Sequence, residues 1–108
     1  MKSIFAQSII NSCSYLEYRS TISLLIKEGK STGNEQSEDL LNYSQLNEVR
    51  MNRLEKTIKI SVENIQKMQS LEKEYIWLVI SEGWCGDAAQ VLPIITKMAD
   101  FSSQIDLK

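Results

Sequence analysis

The chain has no histidine, only two cysteines (Cys13 and Cys85) and a single proline, Pro93. Without histidine there is no serine–histidine nucleophile. A zinc site needs several Cys or His ligands close together, and two cysteines far apart in sequence do not supply one. Nor do they build the disulfide framework of a small secreted domain; they fit a reducing, cytoplasmic setting. A basic block is also missing. Twelve Lys and Arg stand against fourteen Asp and Glu, a formal net charge of −2, so a nucleic acid finds no electrostatic footprint. No run is long and apolar enough to span a membrane. In the segment Met1–Cys13, Gln7, Ser8 and Asn11 interrupt the core that a secretory signal needs. The small-residue pattern usually seen just before a lipid-modified cysteine is lacking before Cys13. None of the four glycines lies in a phosphate-cradling loop. The expectation is a soluble, cytoplasmic protein with no metal, no cofactor, no nucleic-acid partner and no membrane association.

What is present is ordinary for a globular chain: 43% hydrophobic and 24% charged residues over 108 positions. That length allows one domain with a modest core. Ser14-Tyr15-Leu16-Glu17 has the capping-box pattern. Tyr15, Tyr18, Ile22, Leu25 and Ile26 follow at helical spacing, and Gly29 is a natural stop. Lys30 to Ser37 is polar and holds Gly33-Asn34, which predicts a loop. A second helix is expected from Glu38 to about Lys56, with Leu40, Tyr43, Met51, Leu54 and Ile58 along one stripe. Glu38 and Asp39 near its start suit the helix dipole.

The pattern then changes. Ile58, Ile60 and Val62 alternate with polar residues, as in a short strand. Ser61 can cap a following helix that carries Val62, Ile65 and Met68 on its apolar side. Tyr75 to Ser81 is continuously apolar at its centre, the pattern of a strand covered on both faces. Asp87 to Asp100 reads as a helix with Val91, Leu92, Ile95 and Met98 buried, kinked by Pro93. Ile105 to Lys108 resembles the start of another strand. The fold class is therefore α/β: a β-α-β-α-β unit over residues 57–108 with a parallel sheet, preceded by a helical extension over residues 1–56.

Cys85 lies where the Tyr75–Ser81 strand turns into the last helix, in Gly83-Trp84-Cys85-Gly86-Asp87-Ala88. The first turn of a helix has unpartnered N–H groups and a partial positive charge, both of which favour a thiolate over a thiol. Gly86 keeps the backbone slim beside the sulfur, and Trp84 supplies a flat apolar wall. Asp87 opposes the effect, because a carboxylate disfavours a second negative charge nearby.

Trp84-Cys85-Gly86-Asp87-Ala88 resembles the Trp-Cys-Gly-Pro-Cys active site of the thioredoxin superfamily. Pro93, eight residues after Cys85, matches the proline of the family's active-site helix. More narrowly, the stretches Thr32–Asp39 and Trp77–Gln90 resemble bacterial thioredoxin-family proteins with a helical N-terminal extension. The resemblance implies a thioredoxin-like fold and places Cys85 at the position that attacks a disulfide. It also marks departures. Ala88 stands at the position of the resolving cysteine and has no sulfur. Val79 stands at the position of the family's buried acid. The cis-proline loop and later strands of that fold would lie beyond Lys108, so the chain is expected to be a truncated form with an open strand edge.

The function expected is that of a monothiol thiol–disulfide redox protein, contributing to redox homeostasis, with Cys85 as nucleophile and Trp84, Gly86 and Asp87 around it. Its partner would be a disulfide-containing protein or a low-molecular-weight thiol. The alternative is a redox-inactive interaction module on the same scaffold, completed by a second copy or another chain. Iron–sulfur binding ranks last, because Cys85-Gly86-Asp87-Ala88 differs from the Cys-Gly-Phe-Ser of monothiol glutaredoxins. Cys13, just before a helix cap, reads as a junction residue rather than a resolving thiol, although the sequence does not fix its distance from Cys85. The tyrosine and leucine stripes read as core, or as a partner surface. Lys56, Lys59, Lys67 and Lys73 read as solvated, and Trp77 as core.

Overall fold

The structure is a computed structural model that describes residues 2–108. The chain runs α1 (Lys2–Ile10), α2 (Tyr15–Lys27), α3 (Glu38–Thr57), α4 (Val62–Gln69), β1 (Tyr75–Trp77), α5 (Gly86–Asp100) and β2 (Ile105–Leu107). Helix starts follow their caps. The Ser14 side chain accepts from the Glu17 N–H and Glu17 reaches back to the Ser14 N–H, a complete capping box. Ser37 and Ser61 cap α3 and α4 in the same way through the N–H groups of Leu40 and Asn64. Each side-chain oxygen satisfies one of the donors that a helix start leaves without a partner. Gly29 follows α2 with φ +73°, a backbone that only glycine adopts without strain.

The core lies where α2, α3 and α5 meet. Ile22, Met51 and Ala89 are its fully buried members, with Tyr18 and Ile26 packed against them. α3 packs along α5, α2 lies on α3, and β2 and α4 rest on α5. An interhelical polar cluster ties α2 to α3 along their solvent edge. Arg19 pairs with Glu55 at 2.8 Å and Glu48 at 3.4 Å and bonds to Asn52. The Tyr15 hydroxyl donates to Glu55 at 2.5 Å and the Ser23 hydroxyl to Glu48 at 2.5 Å. Burial, then the hydrogen bond and charge of Glu55, hold the Tyr15 hydroxyl well above its ordinary range, partly opposed by Arg19. Burial works against the Arg19 charge, but Glu55 more than offsets it, and its pKa is raised.

β1 and β2 form a parallel pair with Tyr75 opposite Ile105, Ile76 opposite Asp106 and Trp77 opposite Leu107. Pairing extends through Lys108, whose N–H donates to the Trp77 carbonyl at 2.8 Å and whose carbonyl accepts from Val79 at 3.1 Å.

Four expectations are corrected. Ile58–Val62 forms no strand: no neighbouring strand pairs with it, Ile58 ends α3, and its carbonyl accepts instead from Lys97 Nζ at 2.7 Å. The second half is therefore not β-α-β-α-β; its strands among the described residues are β1 and β2 alone. The strand expected over Tyr75–Ser81 stops at Trp77 and is not covered on both faces, since Tyr75, Ile76 and Ile80 are exposed. Finally, Val62, Val91 and Tyr43 lie on solvent faces rather than on the buried stripes of their helices. Along α3 the buried positions are Ser44, Asn47 and Met51. The Ser44 hydroxyl donates to the Leu40 carbonyl at 2.8 Å, so its burial leaves no polar atom unmatched.

Candidate active site

Cys85 is the N-cap of α5, half-buried, with an extended backbone (φ −79°, ψ 112°). Its N–H donates to the Glu82 carbonyl at 3.0 Å, closing the turn Glu82–Cys85. Its own carbonyl accepts from the Ala89 N–H at 3.2 Å and starts the helix. The thiol makes no capping hydrogen bond. The sulfur thus lies beside the first turn without being consumed by it. α5 runs to Asp100 with Pro93 buried inside it. Trp84 keeps 37% of its surface exposed beside the thiol. Asp87 is exposed in the first turn of α5, and Ala88 is half-buried.

The turn before Cys85 is held from elements distant in sequence. Asn47, 1% exposed on α3, donates from Nδ2 to the Gly83 carbonyl at 3.1 Å. From the α2–α3 loop, the Thr32 hydroxyl oxygen accepts from the Gly83 N–H at 2.8 Å, and the hydroxyl donates to the Glu82 carboxylate. Both polar groups of a buried peptide segment are therefore satisfied by side chains, which removes the cost of leaving them unpaired. Thr32 is supported by its own loop. Gln36 accepts from the Ser31 N–H at 3.0 Å and donates to the carbonyls of Ser31 and Gly33 at 2.8 and 3.1 Å. Gly33 has φ +87°, and a Cβ there would meet Glu82 Oε2 at 3.1 Å.

Of the two glycines flanking Trp84-Cys85, Gly83 is the closely packed one. A Cβ at Gly83 would lie 3.3 Å from Ile22 Cγ1 in the core. A Cβ at Gly86 would meet, outside its own helix and chain neighbours, only Arg50 Nη1 at 3.7 Å, an ordinary contact.

Tyr18 of α2 reaches the same region, with its hydroxyl 3.2 Å from Ser81 Oγ. Burial raises its pKa, the Ser81 hydrogen bond acts in the opposite sense, and the charges of Glu82 and Cys85 raise it further. It therefore stays a neutral phenol at ordinary pH. Thr32, Asn47, Arg50 and Tyr18 were not singled out from sequence as site residues. The polar pair Ser44 and Asn47, three apart on an otherwise apolar face, is the signal that could have found the α3 tether.

The structure does not bring all the candidates together. Cys13 is exposed at the α1–α2 junction, and both cysteines are free. Cys13 borders a cavity of about 290 Å³ that Tyr18, Val79, Ser81 and Leu92 also line, and Cys85 is not part of that wall. Val79 presents an apolar side chain where the resemblance looks for an acid. Among the described residues, no group of three or more His, Cys, Asp or Glu is placed to hold a metal ion. No helix among them is long and apolar enough to cross a membrane.

The family model described as Thioredoxin matches residues 33–108. The chain belongs to the thioredoxin family. The match covers the Gly33 turn, α3 and the Cys85 turn, so the thioredoxin-family segment includes Asn47 and Arg50 as well as the motif. Searches of curated proteins and of solved structures returned no match.

Proposed function

We propose that this thioredoxin-family protein carries out thiol–disulfide exchange with Cys85 as its lone nucleophile. The Cys85 thiolate attacks one sulfur of a disulfide. The S–S bond breaks, the other sulfur leaves as a thiolate that takes a proton from water, and Cys85 is left in a mixed disulfide. With Ala88 at the resolving position, an external thiolate, either of low molecular weight or on a protein, attacks the substrate sulfur of the mixed disulfide, and the bond to Cys85 breaks. That second exchange releases the first substrate half as a mixed disulfide with the incoming thiol and restores the Cys85 thiolate. Two electrons are exchanged between sulfurs at each step, with no other oxidant or reductant.

The observation that carries this reading is the position of Cys85 at the N-cap of α5, with its thiol free of any capping bond. The family match supports it, and so does the tethering of the turn that precedes Cys85. The test compares mixed-disulfide formation at Cys85 with hydroxyethyl disulfide in the folded chain and in the urea-unfolded chain at one pH. Faster reaction in the folded chain is expected, abolished by Cys85→Ser and retained in Cys13→Ser. Equal rates in the two states would remove the proposal and leave a thioredoxin-fold binding module in its place.

A further inference from the structure

Two arginines are partly buried on the helices around the core, and they differ in what surrounds them. Arg19 is matched by two carboxylates. Arg50, half-buried on α3, has no carboxylate within ion-pair distance among the described residues. Its hydrogen bond there runs from Nη1 to Asn47 Oδ1 at 3.2 Å. A guanidinium carries five N–H donors, so most of its capacity is unused. Removing part of a charge from water without a partner carries a cost that an incoming anion can offset.

The position of this cation matters as much as its lack of a partner. Asn47 holds Arg50 with its oxygen and the Gly83 carbonyl with its nitrogen, so one buried amide fixes the guanidinium relative to the turn that carries Cys85. Arg50 Nη1 comes within 3.7 Å of a Cβ built at Gly86, the residue after the nucleophile. The nearby carboxylates do not occupy it: Glu82 is bound by Thr32, and Asp87 forms no ion pair with it. The planar fork of a guanidinium matches a carboxylate.

We infer that Arg50 is a specificity-determining residue that selects low-molecular-weight disulfides bearing a carboxylate close to the sulfur, with Asn47 as its positioning residue. The inference rests on the reading of Cys85 as the nucleophile. A substrate carboxylate on Arg50 lies beside Gly86, one residue from the Cys85 nucleophile. The preference has the opposite sign to that expected from the chain's net charge of −2, which by itself repels an anionic disulfide.

The test uses the full chain carrying Cys13→Ser and two small disulfides: dithiodipropionate, which is dianionic, and hydroxyethyl disulfide, which is neutral. Initial rates of Cys85 adduct formation are read by intact mass. Each is divided by the rate of the same disulfide with the urea-unfolded chain. An exposed ion pair predicts a folded-state preference for the dianion of roughly two- to fivefold. The preference should shrink as salt is raised, fall to about onefold in Arg50→Gln, and survive in part in Arg50→Lys. A wild-type preference of one or less, a preference indifferent to salt, or one unchanged by Arg50→Gln would overturn the assignment. Should Arg50→Gln fail to fold, the salt series and Arg50→Lys decide the matter. Failure of the nucleophile itself is seen separately, as a neutral disulfide that reacts no faster with folded than with unfolded chain, and it removes both readings.

Discussion

At the scale of single residues, the two glycines that flank Trp84-Cys85 carry different loads. Gly83→Ala drives a methyl group into Ile22 at 3.3 Å, and overpacking of this kind costs about 1–3 kcal/mol. Gly86→Ala meets only an ordinary contact, and the smaller entropy of its unfolded chain stabilises by about 0.4–1 kcal/mol. Urea denaturation of the two variants should therefore shift in opposite directions. Asn47→Ala leaves the buried Gly83 carbonyl without a donor, a cost of about 1–3 kcal/mol. It should also slow Cys85 adduct formation under conditions in which the variant is fully folded, because the turn loses one of its two tethers. A rate equal to wild type, with stability lowered, would make Asn47 structural only. From sequence, Cys85 and its helix start were legible because strand, turn and cap signals are local. Asn47 was not, because a polar residue on a helix reads as solvated unless its partner is known, and its partner lies 36 residues away.

At the scale of elements, boundaries written by caps were legible and those that depend on distant partners were not. Ser14, Ser37 and Ser61 start their helices where the sequence places them. Ser14→Ala removes the capping box of α2 and should cost about 1 kcal/mol in a denaturation midpoint. Ile58–Val62 has the alternation of a strand, yet a strand needs a neighbour to accept its hydrogen bonds, and alternation does not report one. The helix pair α2–α3 also carries a pH dependence. Tyr15 and Tyr18 both have raised pKa values in the folded state. A raised value means that their contribution is fully present below the unfolded tyrosine value of about 10 and is lost as pH rises through the folded values. Stability should fall above about pH 10 for this reason. Tyr15→Phe should flatten that alkaline decline when denaturation is followed from pH 8 to 11, roughly the range spanning the unfolded tyrosine value. An equally steep decline in the variant would show that other groups cause it.

At the scale of the whole molecule, the principal extents of 45 × 38 × 18 Å describe a slab about two helix layers thick. Such a shape explains why few side chains are fully buried and why several large apolar residues, among them Ile76 and Ile80, face outward. The helical and α/β halves that the sequence suggests share one core, since Ile22, Met51 and Ala89 come from α2, α3 and α5. The chain should therefore lose tryptophan fluorescence and far-ultraviolet circular dichroism in one transition with a common midpoint. Two separated midpoints would mean that residues 1–56 and 57–108 melt independently.

Gly83 is bound by Thr32 and Asn47, 51 and 36 residues earlier in the chain, and Ser81 meets Tyr18 across 63 residues. Those three partners precede the Cys85 turn in the chain, and each contact closes a long loop. The turn is complete only when each of these long loops has closed, which a refolding chain achieves by search. The geometry around the thiol is thus among the last features a refolding chain completes. A brief pulse of thiol reagent at successive times after dilution from urea would record that moment directly.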